Sequence, residues 1–260
     1  TGKMVKVIFK KALVRIPCRR ISEGISSVKL GTPDYRETLK QHQQYVSALE
    51  KCGVRVYALP PDENYPDSTF IEDTAVLTEK CAIICRPGVS SRLGEEQKII
   101  SALEEFYNQI EFIEAPGTLE GGDVLRIGNN FFVGLSSRSN MEGFNQFQGI
   151  LEKYGYKAKK VSLEEALHLK TGVAYLENGE IILAGEFKGK EEFGEFKKIL
   201  VEDEESYAAN CIWVNGWVII ARGFPGVREE IEKAGYPVKS LDVSEFRKLD
   251  GGLSCLSLRF

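Results

Sequence analysis

Apolar residues in this chain come in short runs with a repeating order. A strand-length run, a polar turn, a second apolar run, a polar loop, an amphipathic helical stretch and a closing strand follow one another, and the order recurs about every 50 residues. The first copy runs from Val5 through a helix around residues 35–51 and closes over 54–59. The second has strands at 74–77 and 82–85, a helix near 95–107 and a closing strand at 110–113. The third repeats this at 124–127, 131–134, 141–154 and 157–161, and the fifth at 211–214, 217–221, 226–234 and 238–241. In the fourth, strands at 173–176 and 181–184 are followed by a charged stretch, 188–198, where the helix is expected. Asn178-Gly179 and Asn215-Gly216 fall between paired apolar runs at matching points, the strongest short-range hairpin signal. The pattern predicts five ββαβ units in one α/β domain over 1–260, with loops converging on a common axis where a small-molecule pocket would form. Thr1 to Lys3 read as a tag remnant ahead of Met4.

Composition narrows the class of partner. With 34 basic and 38 acidic residues the net charge is -4, so there is no polybasic footprint for nucleic acid or an anionic membrane. No apolar run approaches the roughly 20 residues of a membrane span, and no signal peptide is visible at the start. The expectation is a cytoplasmic protein acting on a small ligand. A homodimer is compatible with the sequence and not required by it. The six cysteines lack the density of a disulfide scaffold, and Cys81 and Cys85, flanking an apolar strand, have no second pair to complete a zinc site.

Candidate chemistry centres on Cys255, in a turn of small residues, Asp250-Gly-Gly-Leu-Ser-Cys255, five residues from the end. A thiol attacks as thiolate and needs a neighbouring base or cation. Only two histidines exist. His42 falls within the first helical pattern and reads as a surface or packing residue, whereas His168 sits between an amphipathic turn and a strand, where catalytic loops lie. Acids collect before two strands: Asp67, Glu72 and Asp73 before the second copy and Glu120 before the third. Strand alternation predicts that one of the adjacent pair Glu72-Asp73 faces the axis. A converging ring of Asp67, Glu72, Asp73 and Glu120 would suit a guanidinium, whose fork matches carboxylates. Arg92 and Arg138 occupy equivalent loops after second strands and could together hold an α-carboxylate. For each group the plainer alternative is a solvated turn residue.

Taken in order, Pro66-Asp-Ser-Thr-Phe-Ile-Glu-Asp73, Glu120-Gly-Gly-Asp-Val-Leu125, Gly134-Leu-Ser-Ser-Arg-Ser-Asn140, His168-Leu-Lys-Thr171, Ala209-Asn-Cys211 and the Cys255 tail resemble the dimethylarginine dimethylaminohydrolases. That family belongs to the guanidino-group-modifying superfamily, whose fold is a five-fold pseudosymmetric ββαβ propeller with a central active-site channel. The resemblance covers nearly the whole chain. It implies Cys255 as nucleophile, His168 as general acid and then base, and Glu120 orienting His168 while touching the guanidinium. It further implies Asp73 on guanidinium nitrogens, Asp67 and Glu72 as further substrate-loop acids, Arg92 and Arg138 on the α-carboxylate, and backbone oxygens of Ile25 and Leu249 on the substrate. The implied reaction converts Nω-methylated arginine to citrulline and the methylamine through an S-alkylthiouronium on Cys255, with no metal and no organic cofactor.

Two departures bear on the substrate. Arginine deiminases, with the same propeller, carry an acid two residues after the histidine; here Lys170 stands there. Ser139 replaces the threonine common in that loop of the family. A related hydrolase of arginine, citrulline or another guanidino or ureido compound is the alternative, and a non-catalytic propeller scaffold of the kind that binds ribosomes is a more distant one, disfavoured by the Cys255 and His168 pair.

Overall fold

A computed structural model describes residues 8–260. The opening strand expected at Val5 and the Thr1 to Lys3 remnant lie outside the described residues.

Five three-stranded sheets are arranged as blades. After β1 (Lys11–Arg15), helix α1 (Tyr35–Lys51) and β2 (Arg55–Leu59), the second blade holds β3 (Ala75–Leu77), β4 (Ala82–Ile84), α2 (Gln97–Glu104) and β5 (Ile110–Phe112). The third holds β6 (Val124–Ile127), β7 (Asn130–Leu135), α3 (Met141–Lys153) and β8 (Lys157–Ser162). The short helix α4 (Leu169–Gly172) leads into the fourth, β9 (Val173–Tyr175), β10 (Glu180–Leu183) and β11 (Lys197–Leu200). The fifth holds β12 (Ile212–Val214), β13 (Trp217–Ala221), α5 (Pro225–Lys233) and β14 (Val238–Leu241). Helix α6 (Ser244–Arg247) and β15 (Leu258–Arg259) complete the chain. In each of blades two to five the first pair of strands is antiparallel and the third strand returns parallel. The parallel return is what requires a crossover.

The first blade is closed from the other end of the chain. β15 pairs antiparallel with β1, Ala12 opposite Arg259 and Leu13 opposite Leu258, while β2 adds in parallel. The residues after Cys255 therefore complete the first repeat. The fourth blade also departs from the sequence pattern: 3-10 turns at Gly185–Gly189 and Glu191–Phe193 replace the helix, and the end of the charged stretch, Lys197 and Lys198, opens the closing strand β11. Lys197, Lys198 and Leu200 on β11 are exposed, so only Ile199 carries a buried signal.

The ring is held by apolar layers between neighbouring blades. On β10, Ile181 and Leu183 pack toward the third blade with Phe132 and Val161, while Ile182 packs toward the fifth with Trp213 and Val218. Both faces of such a strand are covered, which is why these runs read as continuously apolar and do not alternate. The turns follow local chemistry: Asn215 (φ 50°) and Gly216 (φ 96°) both adopt the left-handed region that this two-residue hairpin demands. Asp34 and Asn140 cap α1 and α3 by accepting from the amides of Glu37 and Gly143. The first strands β3, β6, β9, β12 and β15 surround the axis, and their chain-preceding turns meet at one end of it.

Candidate active site

Each catalytic candidate stands on a short turn before or after an innermost strand. The 3-10 turn Ile71–Thr74 presents Glu72 and Asp73, Gly121–Asp123 follows Glu120, His168 is the N-cap of α4, and Ser254–Leu256 carries Cys255. These turns pack on one another. The approach is closest at Gly121, where an added Cβ would lie 2.0 Å from the carbonyl oxygen of Glu72, so any side chain would drive the two turns apart. Because Glu72 and Asp73 lie in a 3-10 turn and not in a strand, both are buried, where alternation had predicted that one would be.

Glu120 has no exposed surface. Its Oε2 lies 2.7 Å from His168 Nε2, and its Oε1 accepts from the amide of Gly88 at 3.0 Å. The main chain of Glu120 is fixed as well: its amide donates to Ser139 Oγ, which in turn donates to Asp123 at 2.7 Å. Asp123 also accepts from the amide of Leu169, locking the start of α4 beneath His168. Asp73 accepts from the amide of Gly122 at 2.9 Å and from Arg92 Nη1 at 2.6 Å. Burial alone would discharge His168, but the carboxylates of Asp73, Asp123 and Glu120 outweigh it and push the imidazole up to about 9. Burial likewise opposes ionisation of Asp73, and the charges of His168 and Arg92 reverse the balance and hold its carboxyl below the ordinary value.

Cys255 is the one cysteine of the six that is not fully buried. Its Sγ accepts from the amide of Gly252 at 3.4 Å and from Asn210 Nδ2 at 3.8 Å. Burial of the sulfur, reinforced by the carboxylates of Glu72 and Asp73, pushes the thiol up to about 12, against the weaker pull of the Gly252 amide and Lys170. The two shifts run in the same direction, favouring a neutral thiol at Cys255 and an imidazolium at His168. Glu72 ties the two sides together, accepting from Lys170 Nζ at 2.5 Å and from Ser254 Oγ at 2.8 Å.

The structure places the two arginines differently from a free carboxylate clamp. Arg92 is buried and engaged on every nitrogen: Nε and Nη2 on Glu95 at 2.8 Å, Nη2 also on the carbonyl of Phe70, and Nη1 on Asp73. An α-carboxylate would reach it only in exchange for one of these contacts. Among the described residues Arg138 touches Glu120 through Nη1 alone, at 3.3 and 3.4 Å, and its remaining side-chain donors have no partner. Asp67 accepts from the amide of Ile25 at 3.0 Å, and burial raises its carboxyl above the usual range. An added Cβ on Gly24 would meet both Asp67 and Leu249, so Ile25, Asp67 and Leu249 form one rim. The loop of Ile25 is fastened there by Ser26 Oγ on the carbonyl of Lys248 and Ser27 Oγ on Asp250.

Several residues of the site carried no assigned role in the sequence. Asp123 stood three positions after Glu120 in a quoted motif, and Asn210 in another, but only the fold shows what they touch. Ser254 stood beside Cys255 in the small-residue turn, and Glu95 had no local signal. Ligand atoms of Asp73, Glu120 and His168 lie within 4.8 Å of one another, a spacing that could bridge a divalent cation. Arg92, Arg138 and the amides of Gly88 and Gly122 already neutralise these acids.

The model of the family described as N,N dimethylarginine dimethylhydrolase, eukaryotic, matches residues 33–185. Over 97% of this chain and the whole of the relative, the sequence is 50% identical to an N(G),N(G)-dimethylarginine dimethylaminohydrolase of Pseudomonas aeruginosa. The chain belongs to the dimethylarginine dimethylaminohydrolase family. A relative of that name from Streptomyces coelicolor is 34% identical over 96% of each chain. Among solved structures, a cysteine-to-serine mutant of the Pseudomonas dimethylarginine dimethylaminohydrolase complexed with citrulline superposes with a TM-score of 0.96 over 98% of this chain and all of that one. A histidine-to-glycine variant, as an adduct with S-methyl-L-thiocitrulline, also gives 0.96, over 97% of this chain and all of that one. The family's ββαβ ring is thus the fold of this chain, as the resemblance implied.

Proposed function

We propose that this dimethylarginine dimethylaminohydrolase family member hydrolyses Nω-methylated and Nω,Nω-dimethylated arginine to citrulline and the corresponding methylamine, using Cys255, His168 and Glu120. The observation that carries the reading is the charge arrangement around the sulfur. Burial, with Glu72 and Asp73, favours the thiol at Cys255, and Asp73, Asp123 and Glu120 favour the imidazolium at His168, an acidic surround suited to receiving a cation.

A guanidinium entering beside Asp73 and Glu120 adds positive charge next to the sulfur and so favours its thiolate. The thiol proton leaves to solvent, and the sulfur attacks the guanidinium carbon. Carboxylates keep the group cationic and fix its plane. His168, held by Glu120, gives its proton to the departing dimethylamine as the carbon–nitrogen bond breaks, leaving an S-alkylthiouronium on Cys255. The now neutral imidazole takes a proton from water, the hydroxide adds to the same carbon, and the carbon–sulfur bond breaks; the added hydroxyl loses its proton as the ureido carbonyl of citrulline forms, and the thiolate takes up a proton in its place. No step draws on an electron donor or acceptor.

Arg138, with free donors, is the group suited to the substrate α-carboxylate. Ile25 and Leu249 offer backbone oxygens and Asp67 a carboxylate at the rim; Arg92 takes part by exchanging an internal contact. Two bound structures of a relative, with citrulline and with S-methyl-L-thiocitrulline, support a small guanidino or ureido amino acid as ligand. A nucleophilic thiol with five further free cysteines suits a reducing compartment, and we place the protein in the cytoplasm. The test is a panel of Nω,Nω-dimethylarginine, Nω-methylarginine, arginine and citrulline with the purified chain. Citrulline release from the methylated compounds, at kcat/KM well above that for arginine, is expected; preference for arginine would overturn the substrate reading.

A further inference from the structure

The 3-10 turn Asp203–Ala209, with the residue that closes it, grips the turn that carries Cys255. Tyr207 Oη donates to the carbonyl of Gly251 at 2.7 Å, and Asn210, buried at the end of its turn, accepts at Oδ1 from the amide of Ser254 at 3.0 Å. The carboxamide of Asn210 is thereby oriented. A backbone amide can only donate, so it takes the oxygen end and leaves the NH2 end facing Cys255, where Nδ2 lies 3.8 Å from Sγ.

Gly252 completes the arrangement. Its amide lies 3.4 Å from the same sulfur, and an added Cβ there would fall 2.3 Å from both Cγ and Nδ2 of Asn210, so glycine is what lets the main chain pass flush against the carboxamide. Among the described residues these two N–H groups are the hydrogen-bond donors that reach Sγ. One is held by the backbone and the other by Ser254, so neither has to turn when charge appears on the sulfur. The call on them is strong, because burial and the carboxylates of Glu72 and Asp73 oppose a thiolate at Cys255.

We propose that Asn210 is a further catalytic residue: its Nδ2–H, with the Gly252 amide, forms a two-donor cradle that carries the negative charge of the Cys255 sulfur when the thiolate forms and again when it leaves the carbon. The role rests on Cys255 as the nucleophile of the proposed hydrolysis. Asn210 moves no proton and forms no covalent bond. It stabilises the thiolate before attack on the guanidinium carbon, and it makes the sulfur a better leaving group when the carbon–sulfur bond breaks.

The test is the iodoacetamide labelling rate of Cys255 at pH 8 without substrate, read on its tryptic peptide in the native chain and in Asn210→Ala. Glu72, Asp73, Lys170 and Tyr207, which act on the sulfur from the neighbouring turns, and His168 stay in place in both. Asn210→Ala should label roughly fivefold more slowly, because less of the sulfur is thiolate, and citrulline release from Nω,Nω-dimethylarginine should fall by at least as much. A role confined to holding the turn gives the opposite sign, since a loosened turn exposes the sulfur to water and speeds labelling. An unchanged or faster rate overturns the proposal. If Asn210→Ala fails to fold, Asn210→Ser, whose hydroxyl stops short of the sulfur, is read by the same criterion. Labelling needs no substrate, so the two readings fail separately. A native chain that leaves methylated arginine intact, beside slow labelling of Asn210→Ala, strikes the hydrolysis; citrulline release by the native chain, beside an unmoved labelling rate in Asn210→Ala, strikes the cradle.

Discussion

His168 Nε2 lies 2.7 Å from Oε2 of Glu120, a carboxylate with no exposed surface. That contact, with Asp73 and Asp123 nearby, raises the imidazole to about 9, whereas His42, buried on α1 where desolvation dominates, is lowered to about 4. With only two histidines in the chain, a nitrogen-15 NMR titration should show two imidazoles with midpoints several units apart. Glu120→Gln should lower the upper midpoint and leave the lower one unmoved. A His168 midpoint near its ordinary 6.5 would contradict the account.

The same shift makes a statement about stability. His168 is raised on folding, so its contribution is fully present below about pH 6.5 and is lost as pH rises through about 9. Asp73 is lowered, so its contribution is present above the ordinary carboxylate value and is lost as pH falls through its depressed one. Urea midpoints measured from pH 6 to 10 should decline across the alkaline window in the native chain and decline less in His168→Ala.

Cys255 should resist alkylation in the empty site. Its thiol is pushed up to about 12, first by burial and then by Glu72 and Asp73, so iodoacetamide labelling should accelerate steadily from pH 7 to 10. Glu72→Gln removes one of these negative charges and releases Lys170, which lowers the thiol. The labelling rate at pH 8 should rise by roughly tenfold, one unit of thiol acidity. An unchanged rate would separate Glu72 from the sulfur.

The two arginines should behave differently. Arg92→Met leaves Asp73 and Glu95 buried without their cation, and should destabilise the fold by about 3–5 kcal/mol in urea unfolding. Arg138→Met removes only a long contact, 3.3 Å, to a Glu120 that keeps His168 and the Gly88 amide as partners, and should cost clearly less stability than Arg92→Met, while raising KM roughly tenfold or more with a smaller change in kcat. A fall in kcat at constant KM would remove Arg138 from the α-carboxylate.

Gly121→Ala tests the meeting of the catalytic turns. With its Cβ 2.0 Å from the Glu72 carbonyl oxygen, the variant should lose about 1–3 kcal/mol and lose activity as well, since Glu72 and Glu120 move apart. Circular dichroism melting together with citrulline release measures both.

Much of the blade order was legible because each blade is a local unit: Asn215-Gly216 favours a hairpin, and the short apolar runs at 181–184 and 217–221, bounded by turns, suit strands covered on both faces. The first blade was not, because its third strand, β15, lies at the other end of the chain and pairing across that separation leaves no local mark. β11 was hidden for a different reason, with one buried residue, Ile199, among exposed lysines. In the site, residues with distinctive chemistry, Cys255, His168 and Glu120, could be named from the sequence. Partners acting through ordinary polar atoms could not: Asn210, Ser254 and the amide of Gly88 acquire meaning only from distance. Arg92 shows the limit most clearly, since its loop position resembled that of Arg138 and its burial between Asp73 and Glu95 depends on tertiary packing.

The covalent step is the centre of the account, and rapid acid quench followed by peptide mass spectrometry reads it directly. During turnover of Nω,Nω-dimethylarginine, the tryptic peptide containing Cys255 should carry the mass of an S-alkylthiouronium, and Cys255→Ser should show neither the adduct nor citrulline release. Citrulline formed at an undiminished rate by Cys255→Ser, or an adduct found on another cysteine, would contradict it.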